Sequence, residues 1–144
     1  MSSLQLHVLG SGSGLPSARR DTTALWIRCG GEGLLVDCPG SVVHKLARLG
    51  VRVRELERLL VTHDHVDHLY GLPHLVHAAA IAERGHEIVL HAPPDTLEAA
   101  TNILAAHGLD DERYPGVDLR PLGGVEHDHV GPAKLQRNGH RFLE

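Results

Sequence analysis

Along the first part of the chain, apolar and polar residues alternate with a period of two, the spacing that sends successive side chains to opposite faces of a strand. Residues 4–9 set Leu4, Leu6 and Val8 against Gln5, His7 and Leu9 and stop at Gly10, which predicts a first strand. A loop follows, because residues 10–16 read Gly-Ser-Gly-Ser-Gly-Leu-Pro. Residues 23–28 are rich in strand formers, Gly30-Gly31-Glu32-Gly33 is a turn and residues 34–37 are a short apolar strand, so together they predict a hairpin. The period then changes to that of a helix. Ser41 stands where an N-cap belongs, and Val42, Val43, Leu46 and Leu49 recur at helical spacing up to Gly50.

Residues 56–61 predict a buried strand that runs straight into Thr62. Beyond it, residues 75–83 read as a helix, 87–91 as a strand, 96–106 as a helix capped by Asp95 and stopped by Gly108, and 117–122 as a strand. Residues 134–137 and 140–143 flank Asn138-Gly139 in the manner of a hairpin, and the chain stops inside the second arm. Something downstream is therefore expected. The order of elements is mixed α/β, with no internal repeat and no low-complexity linker.

A length of 144 residues leaves room for one domain, and a content of 42% hydrophobic and 22% charged residues is that of a globular chain. Aromatics make up only 3%, so the core has to be built from Leu, Val, Ile and Ala, and base-stacking platforms are excluded. With 14 Lys and Arg against 18 Asp and Glu, and no basic block longer than Arg19-Arg20, bulk electrostatic binding of a polyanion is disfavoured. Cys29 and Cys38 are too few for a disulfide scaffold, and the N-terminus lacks the regions of a signal peptide. The longest apolar stretch, residues 76–82, is broken by His77 and too short for a bilayer. The expected compartment is the cytoplasm, with no membrane role.

Histidine changes the picture. The chain holds 13, of which His63, His65, His68, His74, His77 and His86 fall in one stretch. Within Thr62-His63-Asp64-His65-Val66-Asp67-His68, His63 and His65 are two apart and can present both rings to one ion from extended or loop backbone. Asp67 and His68 are adjacent and, at the start of a turn or helix, can offer a carboxylate oxygen and an imidazole nitrogen to a second ion nearby. Imidazole and carboxylate without thiolate suit Zn²⁺ first, with Fe or Mn as alternatives. A water bridging two such cations loses a proton near neutral pH and becomes a hydroxide nucleophile, so hydrolysis is the natural reaction class.

At these residues the sequence resembles the metallo-β-lactamase-fold superfamily, whose metal motif is H-x-H-x-D-H. Residues 9–16 (Leu-Gly-Ser-Gly-Ser-Gly-Leu-Pro), Val36-Asp37-Cys38, residues 61–68, Gly71-Leu72-Pro73 and Ala92-Pro93-Pro94 occur in the order and spacing of ribonuclease Z and its phosphodiesterase-like relatives. The resemblance covers nearly the whole chain, and the metal motif is its specific part. It implies an αββα sandwich of which residues 1–144 are the N-terminal half, a mixed sheet with helices on its outer face and an inner face that packs against the second half. It also implies two zinc ions, the first on His63 and His65 and the second on Asp67 and His68, with Asp67 as proton acceptor or relay. Asp37 becomes either a residue that orients the site or a strand-end carboxylate capping a turn, and Gly10 to Gly14 either a phosphate-approaching backbone or a plain loop. The implied substrate is a phosphodiester, RNA included, and the implied activity that of a nuclease or phosphodiesterase.

Two departures bear on this. Where ribonuclease Z continues Asp-Cys-Gly with Glu-Gly-Thr, this chain reads Asp37-Cys38-Pro39-Gly40-Ser41-Val42, which bears on tRNA processing more than on the fold. The family's Gly-Asp context for a bridging aspartate is absent, and the remaining ligands are expected downstream. His129, three residues before Pro132, could serve as the family's third histidine, but the hairpin at 134–143 resembles the strands that precede that ligand, which favours a position past Glu144 and leaves His127 and His129 as loop residues. His44, His74, His77 and His107 fall on predicted helices and are expected at the surface. Hydrolysis of a thioester, lactone or β-lactam is the alternative activity, and an inactive or incomplete half-domain that binds metal weakly and serves only as an interaction module is the non-enzymatic one; a homodimer or other self-association is expected of the 144-residue chain.

Overall fold

The first hairpin closes on two glycines rather than four residues. Gly30 and Gly31 take φ of 61° and 101°, values that only glycine adopts without strain and that match the twist of the flanking strands. In the computed structural model, which describes residues 3–122 apart from positions 84, 112 and 115, that turn joins β2 (Ala24–Cys29) to β3 (Glu32–Val36). With β1 (Leu4–Gly10) they form an antiparallel meander. Parallel strands β4 (Arg58–Leu60), β5 (Ile88–Ala92) and β6 (Val117–Pro121) extend it into one six-stranded sheet in sequential order. The expected hairpin at 134–143, with His127 and His129, lies outside the described residues.

Strand alternation sorts the sheet into two faces. Trp26, Leu35, Leu59, Leu90 and Leu119 stand in one cross-strand row. Against that side pack the buried faces of α1 (Val42–Arg48), α3 (Leu72–Ile81) and α4 (Pro94–Ala106), through Val42, Leu46, Leu72, Leu75, Val76, Ala79, Ala100 and Leu104. The opposite side carries Leu4, Leu6 and Val8, which are 70%, 60% and 62% exposed, in register with Cys29, Ile27 and Leu25. Among the described residues, the hydrophobic core thus lies between the sheet and one helical layer. This is the mixed sheet with helices on one face that the sequence led us to expect.

Element boundaries moved for local reasons. The strand expected over residues 56–61 is only three residues long, because a 3₁₀ turn at Val53–Glu55 precedes it and Leu56 turns into the core. The last helix starts at Pro94 rather than Thr96: proline's missing N–H is no loss in a first turn, and Asp95 sits inside that turn instead of capping it. Helix α3 begins at Leu72, three residues earlier than periodicity suggested. Ser41 occupies the N-cap position of α1, but its hydroxyl donates to Asp21 and makes no cap bond.

Gly33 makes a close contact with the core. A Cβ at this position would lie 2.2 Å from the Trp26 ring, which crosses the strand there. Alanine suits strand backbone better than glycine, so steric exclusion alone should decide the outcome. Gly33→Ala is expected to destabilise the chain by about 1–3 kcal/mol, the range for overpacked cores, and to alter the near-ultraviolet signal of the single tryptophan. Chemical denaturation followed by Trp26 fluorescence measures it. An unchanged midpoint would show that the indole relocates freely.

Candidate functional site

Parallel strands β3 and β4 end side by side, at the carboxyl end of the sheet where α/β proteins commonly build sites. The chain leaves β3 through Asp37, whose N–H donates to the Leu60 carbonyl at 2.8 Å. It leaves β4 through Val61, buried, and Thr62. Residues 62–65 are irregular, and a single helical turn, α2 (Val66–Leu69), then presents Asp67 and His68.

Asp37 is the organising side chain. It is 2% exposed and adopts φ of 61°, a left-handed conformation that costs energy for a residue other than glycine and is common where function or close packing demands it. Its Oδ1 accepts from the Thr62 backbone N–H at 2.8 Å and from the Thr62 hydroxyl at 2.9 Å. Its Oδ2 lies 2.8 Å from His68 Nδ1. That approach is close but not aligned as a hydrogen bond, so the buried Nδ1 has no in-line acceptor. The sequence left open whether Asp37 caps a turn or orients the site, and the carboxylate faces both groups at once.

The four motif side chains gather in one cluster. The rings of His63 and His65 stand 4.4 Å apart between centroids, those of His63 and His68 stand 4.1 Å apart, and His68 Nε2 is 3.3 Å from Asp67 Oδ2. His63 is as near to His68 as to His65, so the cluster is continuous. His65 is exposed, whereas His63, Asp67 and His68 are half-buried. Among the described residues, no three His, Cys, Asp or Glu donors converge on a single point as one ion would require. Cys38, beside Asp37, offers no thiolate, since complete burial and the neighbouring carboxylate push its thiol far above the usual range. The donor set is one of imidazole and carboxylate, which fits zinc in chemical type.

Close backbone packing frames the cluster. Cys38 N–H donates to the His68 carbonyl and Gly71 N–H to the Cys38 carbonyl, both at 2.8 Å. A Cβ on Gly71 would lie 2.2 Å from the Pro39 carbonyl oxygen. On the other side, Gly14 abuts Asp67, and a Cβ there would be 3.2 Å from Asp67 Oδ2. The glycine-rich loop is held to residues 21–23 by Gly12 N–H on the Asp21 carbonyl at 2.7 Å and Thr23 Oγ1 on the Gly12 carbonyl at 3.0 Å.

A second polar cluster, which the sequence did not reveal, pins this assembly to α1. Asp21 accepts from the Ser41 hydroxyl and pairs with Lys45 Nζ at 3.0 Å. Its partners lie 20 or more positions away, and no local spacing marks them. His44, His74, His77 and His107 are exposed, as expected of helix-surface residues.

The family model described as Anti-Pycsar protein Apyc1 matches residues 4–114. The chain belongs to that family. Ribonuclease Z of Bradyrhizobium diazoefficiens is 34% identical over 100 residues, covering 69% of this chain and 33% of its own length. The short form of human tRNase Z superposes with a TM-score of 0.66 at 24% identity, over 79% of this chain and 42% of that one. The metallo-β-lactamase fold protein YhfI from Bacillus subtilis gives a TM-score of 0.63 at 22% identity, over 82% and 46%. These likenesses bear out the expected metallo-β-lactamase fold and the ribonuclease Z-like resemblance. The Apyc1-family chain spans 31% to 42% of the length of the curated relatives it matches. Among the described residues, no helix is long and apolar enough to cross a membrane.

The pair that pins the loop has a pH signature. The Ser41 hydroxyl and then Lys45 hold the Asp21 carboxyl down from 3.8 to about 2. A depressed folded-state value contributes stability that is present above the unfolded value and lost as pH falls through the folded one. The Asp21 side chain is 37% exposed, so solvent screens part of the effect. Thermal unfolding of Asp21→Asn should therefore fall below wild type at pH 5 to 7, with the gap closing as pH drops from about 4 to about 2. A gap that stays constant to the acid end would remove the ion pair as its cause.

Proposed function

We propose that residues 1–144 form the N-terminal half of a metallo-β-lactamase-like domain and carry part of a zinc-dependent phosphodiesterase site of the ribonuclease Z-like kind. The gathering of His63, His65, Asp67 and His68 beside a buried carboxylate at the end of β3 and β4 carries this reading. His63 and His65 would hold one zinc ion, and Asp67 with His68 a second. Zinc at such a site acts as a Lewis acid and makes water acidic enough to attack near neutral pH.

The chain's own groups have distinct parts. Asp67, half-buried against Gly14, would accept the proton that the attacking water gives up as the water oxygen bonds to phosphorus, while the ester oxygen leaves with the bonding electron pair and takes a proton from solvent. Asp37 sets its carboxylate 2.8 Å from the buried Nδ1 edge of the His68 ring. The glycines from Gly10 to Gly14, the last of them beside Asp67, would let backbone come close to a substrate phosphate. The substrate is a phosphodiester, RNA among the candidates, and the work site is the cytoplasm. Zinc with two donors per ion falls short of the three protein ligands usual for catalytic sites, so the chain alone should bind metal weakly. Leu4, Leu6 and Val8 on the open sheet face favour association of copies in the absence of a second layer.

Zinc content tests the ligand assignment. Competition against a chromophoric chelator should give measurable zinc affinity for the intact chain and at least about 10-fold weaker binding for His63→Ala with His65→Ala. Equal affinity in both would remove these residues from the site.

Turnover tests the chemistry. The isolated chain should hydrolyse bis(p-nitrophenyl) phosphate poorly and sediment as more than a monomer, whereas a form extended beyond Glu144 should hydrolyse it. In that active form Asp67→Ala should lower kcat by about 10²- to 10⁴-fold with KM changed much less. Preference for a thioester or lactone over the phosphodiester would overturn the substrate class. A monomeric 144-residue chain with two tightly held zinc ions and efficient turnover would overturn the half-domain.

A further inference from the structure

The Thr62 hydroxyl touches two groups with opposite requirements. Its Oγ1 lies 2.9 Å from Asp37 Oδ1 and 2.9 Å from His63 Nδ1. A hydroxyl has one hydrogen to donate and lone pairs to accept with, while a carboxylate can only accept. With the hydrogen committed to Asp37, Thr62 can meet His63 only as an acceptor. Were the ring's hydrogen on Nε2, two lone pairs would face each other at hydrogen-bond distance. The neutral imidazole is therefore held with its hydrogen on Nδ1 and a bare Nε2 on the opposite edge.

We propose that Thr62 is a positioning residue that relays the acceptor character of Asp37 to His63, fixing that ring in the Nδ1–H form with Nε2 free to bind zinc. This rests on the metal-site reading above and adds to it a residue that is not itself a ligand. The same carboxylate serves both ends of the cluster: Oδ2 beside the His68 ring, and Oδ1 through Thr62 to His63. The hydrogen on the second ring nitrogen sets which nitrogen of a histidine is free for metal. A merely structural role for Thr62 would be met by its backbone N–H, which already donates to Asp37 at 2.8 Å and survives any side-chain change.

The test is made on the metal-free chain by two-bond ¹⁵N–¹H correlation, which reports which ring nitrogen carries the hydrogen, at a pH where the imidazole is neutral. Wild type and Thr62→Ser should show His63 with its hydrogen on Nδ1. Thr62→Val, which matches threonine in shape but has no hydroxyl, should move it largely to Nε2, the form favoured by unconstrained imidazole in water. Zinc affinity should fall about 10- to 100-fold in Thr62→Val and recover in Thr62→Ser. The proposal is overturned if wild-type His63 carries its hydrogen on Nε2, a result that needs no variant to fold. It is also overturned if folded Thr62→Val binds zinc as tightly as wild type. Should the expected hydrogen positions appear while wild type binds no zinc, the relay stands and the metal-site reading fails.

Discussion

Two parts of the chain that diverge after β3 and β4 are brought back together by one buried carboxylate. Asp37 takes two donors from Thr62 on one oxygen, which fixes the exit of β4 to that of β3, and faces His68 with the other, where the Cys38 N–H on the His68 carbonyl ties in the turn of α2. A buried carboxylate needs such partners, because leaving it unpaired away from water is costly. The left-handed backbone at Asp37 is what turns its side chain toward these partners. Strain at Asp37 and order at Thr62 and His68 are two sides of the same arrangement.

Everything that supports this point lies on one side of the sheet. The cross-strand row from Trp26 to Leu119 and the three helices make a core that closes without the opposite face. The motif cluster sits at the rim of that core, where parallel strands end and irregular backbone can expose side chains. Rigid strands on one side and the Asp21, Ser41 and Lys45 cluster on the other hold the glycine-rich loop beside Asp67. Precision in the loops is thus borrowed from buried elements that have no chemistry of their own.

Legibility followed the range of the interactions. The strands were visible in the alternation from Leu4 onward and the helices in the spacing of Val42, Leu46 and Leu49, since both patterns are local consequences of burial. The four motif residues were equally visible, because they lie within six positions on one loop and turn. What the sequence could not display depends on register. Thr62 reads as the end of a strand until β3 and β4 are known to pair in parallel, which sets its hydroxyl beside a carboxylate 25 positions away. Lys45 looks like one more charge on a helix surface until Asp21 is found against it, and Ser41 looks like a cap. The glycine-rich loop gave no hint that Gly14 touches Asp67.

Gly71 carries a further consequence. Its φ of −77° is open to any residue, so conformation does not reserve the position for glycine. The Pro39 carbonyl does, since a methyl group at 2.2 Å could be accommodated only by moving backbone. Any larger residue would act as a wedge, driving α2 and α3 as one body away from the end of β3 and separating His68 from Asp37. The joint between Tyr70 and Leu72 is therefore a fixed spacer whose thickness sets the width of the cluster, and a glycine just past the motif governs how near His68 and Asp37 can come.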